Sequence, residues 1–343
     1  MRYLFPLSPY NQQRQFQKPV WVYPAHLAMY ATYLRNEGHE VYWGPGDWEY
    51  KILTTAADKI IENDFQIDVP FEKLPYPDRT FTDAKNKRWQ SYGNYKKHPA
   101  THMMASNLCW WGKCTFCIDT AKLEAGEKRG LRSVDHVLEE VEDCARLGFR
   151  EIFDDSGTFP IGAWLEDFCL KMIKSGLNKK IMLGCNMKPI AEKVVPFKLM
   201  KKAGFRFMLV GVESANQKTI DTIRKGQESS KVVENMKAMN DAGLEVHLTS
   251  MFGYPWETHE DNMRTVKEIH HLLLKGYVKT AQASVFMPPR TAPPANADAQ
   301  KYIQMVYDIY KDPRYWVRKV LDIKRIEDIT YLLKRIGHVK HAE

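Results

Sequence analysis

The sequence lacks any apolar run near the roughly 20 residues that a transmembrane helix requires. It also lacks low-complexity tracts, and 44% of its 343 residues are hydrophobic and 27% are charged, as in ordinary folded domains. These features exclude a membrane-spanning, fibrous or disordered chain. Met1 is followed by Arg2 and a short mixed segment, not by an apolar export signal, so we expect a cytoplasmic protein with no membrane partner.

Charge of one sign is only slightly in excess. Lys and Arg total 50 against 42 acidic residues, which gives a net charge of +8, and no long basic run is present. A solvated basic surface is the simpler interpretation, although the excess permits an anionic partner such as RNA.

Cysteine is scarce and unevenly placed. Six residues could form three disulfides, but three of them fall within nine positions of a chain without an export signal. This distribution favours a metal or cluster site in a reducing compartment. The six are Cys109, Cys114, Cys117, Cys144, Cys169 and Cys185.

Short apolar runs alternate with amphipathic stretches through the middle of the chain. Six such alternations predict an α/β fold, specifically a six-stranded partial (β/α)6 TIM-like barrel, with its chemistry at the carboxyl ends of the strands. The predicted strands are His102–Leu108, Glu151–Phe153, Ile181–Asn186, Phe207–Val212, Val246–Phe252 and Thr280–Phe286.

Capping residues and glycines delimit the predicted helices. The first follows Ser133 and ends before Gly148, and the second ends at Gly176. The other three helices of the barrel are predicted over Glu192–Ala203, Ser230–Ala242 and Thr258–Lys275.

The two ends of the chain differ from this pattern. A helix over His26–Asn36 and a strand over His39–Trp43 form a reduced N-terminal α/β segment, and an irregular connector follows from about Asp68 to Pro99. Two helices, Ala297–Tyr310 and Arg325–Arg335, are predicted as a C-terminal helical extension.

The segment from Cys109 to Cys117 reads Cys-Trp-Trp-Gly-Lys-Cys-Thr-Phe-Cys and follows a predicted strand. Gly112 permits a sharp turn, so the three thiolates can converge on one inorganic site. Three thiolates suit a cubane cluster with one open iron. A zinc site with His102 as fourth ligand and a plant-type [2Fe–2S] site with Cys144 are the alternatives.

This segment resembles the signature of the radical S-adenosylmethionine (radical SAM) enzymes, in which three cysteines bind a [4Fe–4S] cluster and an aromatic residue, here Phe116, precedes the last one. Four residues separate the first two cysteines, where the family's commonest pattern has three. The longer form resembles variants in the cobalamin-associated branch of the family.

Further runs resemble that branch and follow in the expected order, and all of them except Ile223–Gly226 lie at or directly after the end of a predicted strand. They are Asp154–Phe159, Gly211–Ala215, Ile223–Gly226, Phe252–Thr258 and Phe286–Pro289. The resemblance covers about Ala100–Pro294. It implies three parts: a truncated cobalamin-binding-like segment with connector over 1–99, a radical SAM core over 100–290, and the helical extension over 291–343.

The resemblance implies that the open iron binds S-adenosylmethionine, whose reductive cleavage gives a 5′-deoxyadenosyl radical that abstracts hydrogen from an organic substrate. Cys109, Cys114 and Cys117 are the implied cluster ligands. Asp155 and Tyr254 are the candidate catalytic residues, although an acidic turn that caps a helix is the alternative for Asp155. The candidate cofactor-binding residues are Phe116, Asn186, Glu213, Ser214, Met251 and Gly253.

The N-terminal segment from Tyr23 to Val41 resembles the first helix and second strand of a cobalamin-binding domain. The Asp-x-His-x-x-Gly loop that supplies the cobalt ligand is absent from the sequence, which argues against cobalamin binding. Cobalamin-dependent methyl transfer is therefore the alternative reaction, and a non-catalytic Fe–S or zinc protein that binds nucleic acid is the rival from another class. The expected partners are a small-molecule, peptide or RNA substrate and a reductant such as flavodoxin or ferredoxin.

Overall fold

The structure, a computed structural model, describes residues 1–7, 23–45, 57–61, 69–91, 95–191, 193–287, 298–323 and 328–329. The N-terminal part is a three-stranded parallel sheet of β1 (Arg2–Leu7), β2 (Glu40–Pro45) and β3 (Lys59–Ile60), with β1 in the centre. Helix α1 (Ala25–Asn36) joins β1 to β2 and buries Leu27, Ala31 and Leu34.

A six-stranded parallel sheet forms the main body, and its strands lie in sequence order. Helices connect successive strands, as right-handed parallel crossovers require. The strands are β4 (Ala100–Met103), β5 (Glu151–Asp154), β6 (Met182–Met187), β7 (Phe205–Glu213), β8 (Glu245–Phe252) and β9 (Thr280–Val285). The predicted partial barrel is confirmed.

The helices of this body and of the chain beyond it are, in order, α2 (Ile118–Glu124), α3 (Val134–Arg146), α4 (Ala163–Lys174), α5 (Phe197–Lys202), α6 (Gln217–Thr222), α7 (Val232–Asp241), α8 (His259–Lys275), α9 (Ala299–Asp308) and α10 (Pro313–Leu321). Ser133 caps α3 by accepting a hydrogen bond from the His136 N–H group. Thr258 and Asp261 form a capping box at the start of α8. Both helix starts were therefore predicted correctly.

Strands β4 and β1 and helix α5 differ from the predictions. Strand β4 ends at Met103, and the residues up to Leu108 belong to a loop, because the side chains of Asp154 and Ser156 accept hydrogen bonds from the N–H groups of Ala105 and Ser106. Helix α5 begins only after Pro196, since proline disfavours helical backbone at the residue before it. Strand β1 was not predicted at all.

Some predictions fall outside the described residues. These are Glu192 at the start of the third predicted helix, Pro288 and Pro289 after β9, the first residue of the Ala297–Tyr310 helix, and nearly all of Arg325–Arg335. The other part of Ala297–Tyr310 is α9, followed by a short 3-10 turn.

An apolar layer between the six strands and their helices forms the largest core. Cys144, Cys169 and Cys185 all lie in it and are fully buried. The Cys185 sulfur lies 3.4 Å from the Met208 sulfur within this layer. The positions of these three cysteines therefore fit a role in core packing.

The interior of the barrel is filled near the amino ends of the strands. Phe153 and Phe207 pack there against Tyr95. Below them, Arg206 forms ion pairs with Glu151 and, at 2.9 Å, with Glu245. Lys96 of the connector also binds Glu245, at 2.7 Å. Apolar and ionic contacts thus close this end, while the carboxyl ends carry the predicted site residues.

Helices long and apolar enough to cross a membrane are absent from the part of the chain that the structure describes.

Candidate functional site

The loop that carries the three cysteines begins where β4 ends, and the end of β5 fixes it. The buried Asp154 carboxylate accepts hydrogen bonds from the N–H groups of Ala105, at 2.7 Å, and Ser156, at 3.0 Å. Ser156 in turn accepts from the Ser106 N–H group at 2.9 Å. Burial raises the pKa of Asp154 to about 6. Asp154 therefore organises the loop.

The three cysteines lie on this loop as free, partly exposed thiols, whereas the other three are buried. The Cys109 N–H group donates to Asp119 at 2.8 Å, and the Cys117 N–H group donates to the Cys114 carbonyl oxygen at 3.1 Å. Gly112 has a φ of +53°, so the turn needs a residue without a Cβ. The three partly exposed thiols are thus separated from the three buried cysteines.

Gly157 leaves space for Cys109. A Cβ on Gly157 would lie 2.9 Å from the Cβ of Cys109 and 2.1 Å from Asp119 Oδ2. The Cys109 thiol meets the Thr158 hydroxyl at 3.2 Å. The residues after β5 therefore shape a cradle that admits the first thiol and gives it a hydrogen-bonding partner, as a thiolate ligand requires.

A single-ion site does not fit the described residues, among which no three His, Cys, Asp or Glu side chains are placed to hold one metal ion. A cubane cluster has different requirements, because each thiolate binds a separate iron atom. His102 is buried and meets the Tyr95 hydroxyl at 2.6 Å, and Cys144 lies inside the helix layer. Neither is positioned as a fourth ligand, so three thiols fit a [4Fe–4S] cluster with one open iron.

The segment Ile223–Gly226, which we call the strap, packs across the cysteine loop. The Thr115 N–H group donates to the Ile223 carbonyl oxygen at 3.1 Å, and the Trp111 indole N–H donates to that of Arg224 at 2.9 Å. Gly226 faces the Trp111 ring so closely that a Cβ would lie 2.0 Å from it. Trp110 donates to the Phe159 carbonyl oxygen at 3.1 Å. The two tryptophans thus anchor the loop on both sides.

Glu213, the last residue of β7, has a φ of +67°, which is unusual for a residue with a side chain. A register shift between Gly211 and Glu213 interrupts the pairing with β8 at this point. The Glu213 carboxylate accepts a hydrogen bond from Lys225 Nζ at 2.6 Å. Strain of this kind persists where the surroundings hold a functional side chain in place.

Asp155 stands at the barrel mouth, directly after β5. Its side chain is exposed there, but nearby protein removes solvation and, together with the charge of Asp154, raises its pKa to about 7. Asn186 donates to the Ser156 carbonyl oxygen at 2.9 Å, and its amide partly offsets the rise in the pKa of Asp155. The structure thus brings together these two predicted site residues, and Asp155 has the protonation range of an acid or base.

Ser214 is fully buried. Its hydroxyl donates to Glu257 at 2.6 Å and accepts from the Asn216 N–H group at 3.1 Å. It therefore connects the end of β7 to the residues after β8, and its contact with a cofactor stays a prediction.

Phe116, Met251 and Tyr254 meet in one apolar cluster with Phe286. Gly253, with a φ of +91°, turns the chain between β8 and Tyr254. The buried Tyr254 hydroxyl has no hydrogen-bond partner within the described ranges, and burial raises its pKa well above the ordinary value. The cluster thus places apolar side chains beside the cysteine loop, and Phe116 and Met251 are only partly buried.

Lys188 is a residue of this site that sequence reasoning missed. It follows β6 directly, and only 5% of it is exposed. Its ammonium group lies 3.5 Å from the centre of the Trp111 ring and donates to the Lys225 carbonyl oxygen at 2.7 Å. Burial and the charge of Lys225 lower its pKa to about 8. The only signal in the sequence is its place immediately after a predicted strand.

Known proteins match the same region of the chain that carries this site. Residues 103–269 match the family model of the radical SAM superfamily. A relative named as an uncharacterised methyltransferase of Pyrococcus horikoshii is 28% identical over 48% of this chain and 35% of its own length. A putative methylthiotransferase of Methanocaldococcus jannaschii is 26% identical over 50% of this chain and 37% of its own. The chain thus spans about a third of these relatives' length.

A solved structure matches nearly the whole chain. OxsB, described as a cobalamin-dependent S-adenosylmethionine radical enzyme, aligns in its apo form with a TM-score of 0.57, at 14% identity, over 92% of this chain and 55% of its own. This likeness shows the fold, including the N-terminal part. The match of residues 103–269, which contain the cysteine loop and strands β5 to β8, identifies this part of the chain as a radical SAM domain.

Proposed function

We propose that this protein reductively cleaves S-adenosylmethionine and uses the resulting 5′-deoxyadenosyl radical to abstract hydrogen from an organic substrate. The observation that supports it most is the placement of three free, partly exposed thiols on the loop after β4, at the carboxyl end of a parallel barrel. The cofactors of the superfamily are a [4Fe–4S] cluster and S-adenosylmethionine, and the three thiols match the first of these.

The chain's own residues divide into three roles. Cys109, Cys114 and Cys117 hold the cluster, which when bound supplies one electron and an open iron for the nucleotide. Glu213, held in its strained backbone conformation, accepts hydrogen bonds from the polar part of the nucleotide. Asn186 supports it from β6.

The apolar cluster accounts for the rest of the nucleotide. Phe116 and Met251, both only partly buried, offer a surface for the adenine ring, and Gly253 lets the chain approach it closely. Asp155 faces the barrel mouth and is the residue we assign to proton movement or to substrate binding. Tyr254 lies behind this surface as the second candidate.

The closed amino end of the barrel suits radical chemistry. The packed aromatic side chains and the ion pairs of Arg206 keep solvent from the interior on that side. Excluding water protects a reactive intermediate from side reactions. The substrate, whether a small molecule, a peptide or an RNA, would therefore approach from the carboxyl side, and a flavodoxin- or ferredoxin-type protein would supply the electron.

Anaerobic reconstitution tests this proposal. The wild-type protein should bind about four irons per chain and, with dithionite and S-adenosylmethionine, release 5′-deoxyadenosine. Cys117→Ala should lose both properties, and Cys185→Ala, which changes a core cysteine, should retain them. A protein that holds zinc or two irons, or one that holds four irons yet never cleaves the nucleotide, would contradict the proposal.

Methyl transfer through cobalamin is the second candidate. It is favoured by the central position of β1 in the N-terminal sheet, by the alignment of this part with OxsB, and by the names of the two curated relatives. The missing Asp-x-His-x-x-Gly loop argues against a histidine-bound cobalt. Gel filtration after incubation with hydroxocobalamin distinguishes the two, because retained corrin absorbance would favour the second candidate.

A further inference from the structure

A buried positive charge adjoins the cysteine loop. Lys188 is 5% exposed, and its ammonium group donates to the carbonyl oxygens of Lys225 and Gly226, at 2.7 and 3.4 Å. No Asp or Glu carboxylate of the described residues lies within ion-pair distance of it. Carbonyl oxygens and an aromatic ring stabilise a cation but do not neutralise it. The site therefore contains a buried positive charge that no carboxylate of the described residues balances.

The second buried lysine differs in this respect. Lys225 Nζ lies 2.6 Å from the Glu213 carboxylate, so its charge is balanced within the protein. Its ammonium group also lies 5.9 Å from the centre of the Phe116 ring. Of the two buried ammonium groups beside the cysteine loop, the one on Lys188 is therefore the one without a carboxylate partner.

The strap fixes Lys188 relative to the cysteines. Four successive residues from Ile223 to Gly226 offer carbonyl oxygens to Thr115, Trp111 and Lys188. Trp111 lies between Cys109 and Cys114 in sequence and contacts Lys188 at 3.5 Å. In this arrangement, Lys188 is close enough to Cys109 and Cys114 for their charges to affect its pKa. The loop, the strap and Lys188 thus form one unit.

We propose that Lys188 is a positioning residue whose charge offsets the negative charge of the thiolate-bound cluster and raises its reduction potential. A cation in a poorly solvated site stabilises the more negative, reduced state of a neighbouring group. Net charge and nearby groups are established determinants of Fe–S potentials. The inference rests on the proposed function, since it requires the cluster.

Redox titration of the reconstituted protein, followed by electron paramagnetic resonance without S-adenosylmethionine, measures this effect. In Lys188→Met, the ratio of reduced to oxidised cluster at a fixed potential should fall about tenfold, which is about 59 mV for one electron. Lys188→Arg should stay near the wild-type value. Lys113→Met is the matched control, because Lys113 also faces the Trp111 ring, at 5.0 Å, but is exposed. It should leave the potential unchanged.

An unchanged potential in Lys188→Met with four irons bound would overturn the proposal. If that variant does not load, Lys188→Gln, which keeps an N–H donor without the charge, is titrated instead. If neither uncharged variant loads but Lys188→Arg does, the cluster needs the charge, which supports the proposal. If Lys188→Arg also fails, the residue serves packing and the proposal is wrong. A wild-type protein without four irons would instead contradict the proposed function.

Discussion

Glu213 and Lys225 meet at 2.6 Å in a space that exists only because residue 211 is a glycine. A Cβ on Gly211 would lie 2.4 Å from the Glu213 carboxylate and 2.8 Å from Lys225 Nζ. Gly211, the register shift in β7 and the positive φ of Glu213 all fall within three residues, and Lys225 joins them from the strap. The strand end is therefore built around this carboxylate.

Gly211→Ala should displace the Glu213 carboxylate and weaken nucleotide binding while leaving the cysteines intact. We expect iron content to stay at the wild-type level and 5′-deoxyadenosine formation to fall more than tenfold. Gly44→Ala is the control, because a Cβ there meets no atom within 4 Å. Full activity in Gly211→Ala would mean that Glu213 does not contact the nucleotide.

Glu140→Gln should destabilise the fold strongly. Glu140 is fully buried between Arg79 and Arg132, and these arginines donate to the carbonyl oxygens of His102 and Met104, at 2.9 and 3.1 Å, where the cysteine loop begins. Removing one partner of a buried ionic group costs about 3–5 kcal/mol. Chemical denaturation measures the loss.

The neighbouring Glu139 provides the control for that experiment. It is exposed on the same helix, so Glu139→Gln should change the free energy of unfolding by less than about 0.5 kcal/mol. Equal losses in the two variants would show that the buried triad contributes no special stability.

Acid should destabilise the protein through His102. Burial, followed by the charge of Arg79, lowers the pKa of His102 to about 3, compared with 6.5 in the unfolded chain. Between these values the unfolded state binds more protons, so this contribution to stability is complete above pH 6.5 and is lost as the pH falls towards 3. His102→Gln should therefore reduce the difference in unfolding free energy between pH 7 and pH 4.5.

Ser175→Ala is a suitable reference for this pH comparison, because it removes a hydroxyl that is exposed and does not titrate in this range. Any change in stability that it causes should be the same at both pH values. An unaltered pH dependence in His102→Gln would rule out His102 as the source.

Cysteine substitutions should separate into two groups. Replacing Cys109, Cys114 or Cys117 by alanine should abolish iron binding, whereas Cys144→Ala should keep about four irons and lose about 1 kcal/mol of stability, because it changes only a buried packing contact. Iron and sulfide analysis measures the first property and denaturation the second. Loss of iron in Cys144→Ala would instead favour the ferredoxin-like site.

Sequence reasoning predicted those parts of the fold whose signals are local. The starts of the helices at Ser133 and Thr258 depend on residues within one helical turn, so both were predicted, although the capping box at Thr258 was not. Strand β1 was missed because it contains Pro6, which is unfavourable inside a central strand. The residues after Met103 have the composition of a strand, but Asp154, about fifty positions away, accepts a hydrogen bond from the Ala105 N–H group.

The same distinction between local and long-range signals applies to the site. The three cysteines lie within nine residues, and their spacing alone indicates a cluster. Lys188 has no comparable pattern, because its burial depends on Trp111 and on Lys225 of the strap, which lie 77 and 37 positions away in the sequence. The roles assigned to Asp155, Glu213 and Tyr254 stay predictions until the variants are measured.

The ion pairs of Arg206 and Lys96 have one more consequence. They link the connector, β5, β7 and β8 at the amino end of the barrel. These strands are therefore held together at that end when a substrate enters from the carboxyl end. Any conformational change that admits a bulky molecule must therefore come from the loops at the carboxyl ends of the strands. The barrel thus combines a rigid amino end with an adaptable carboxyl end.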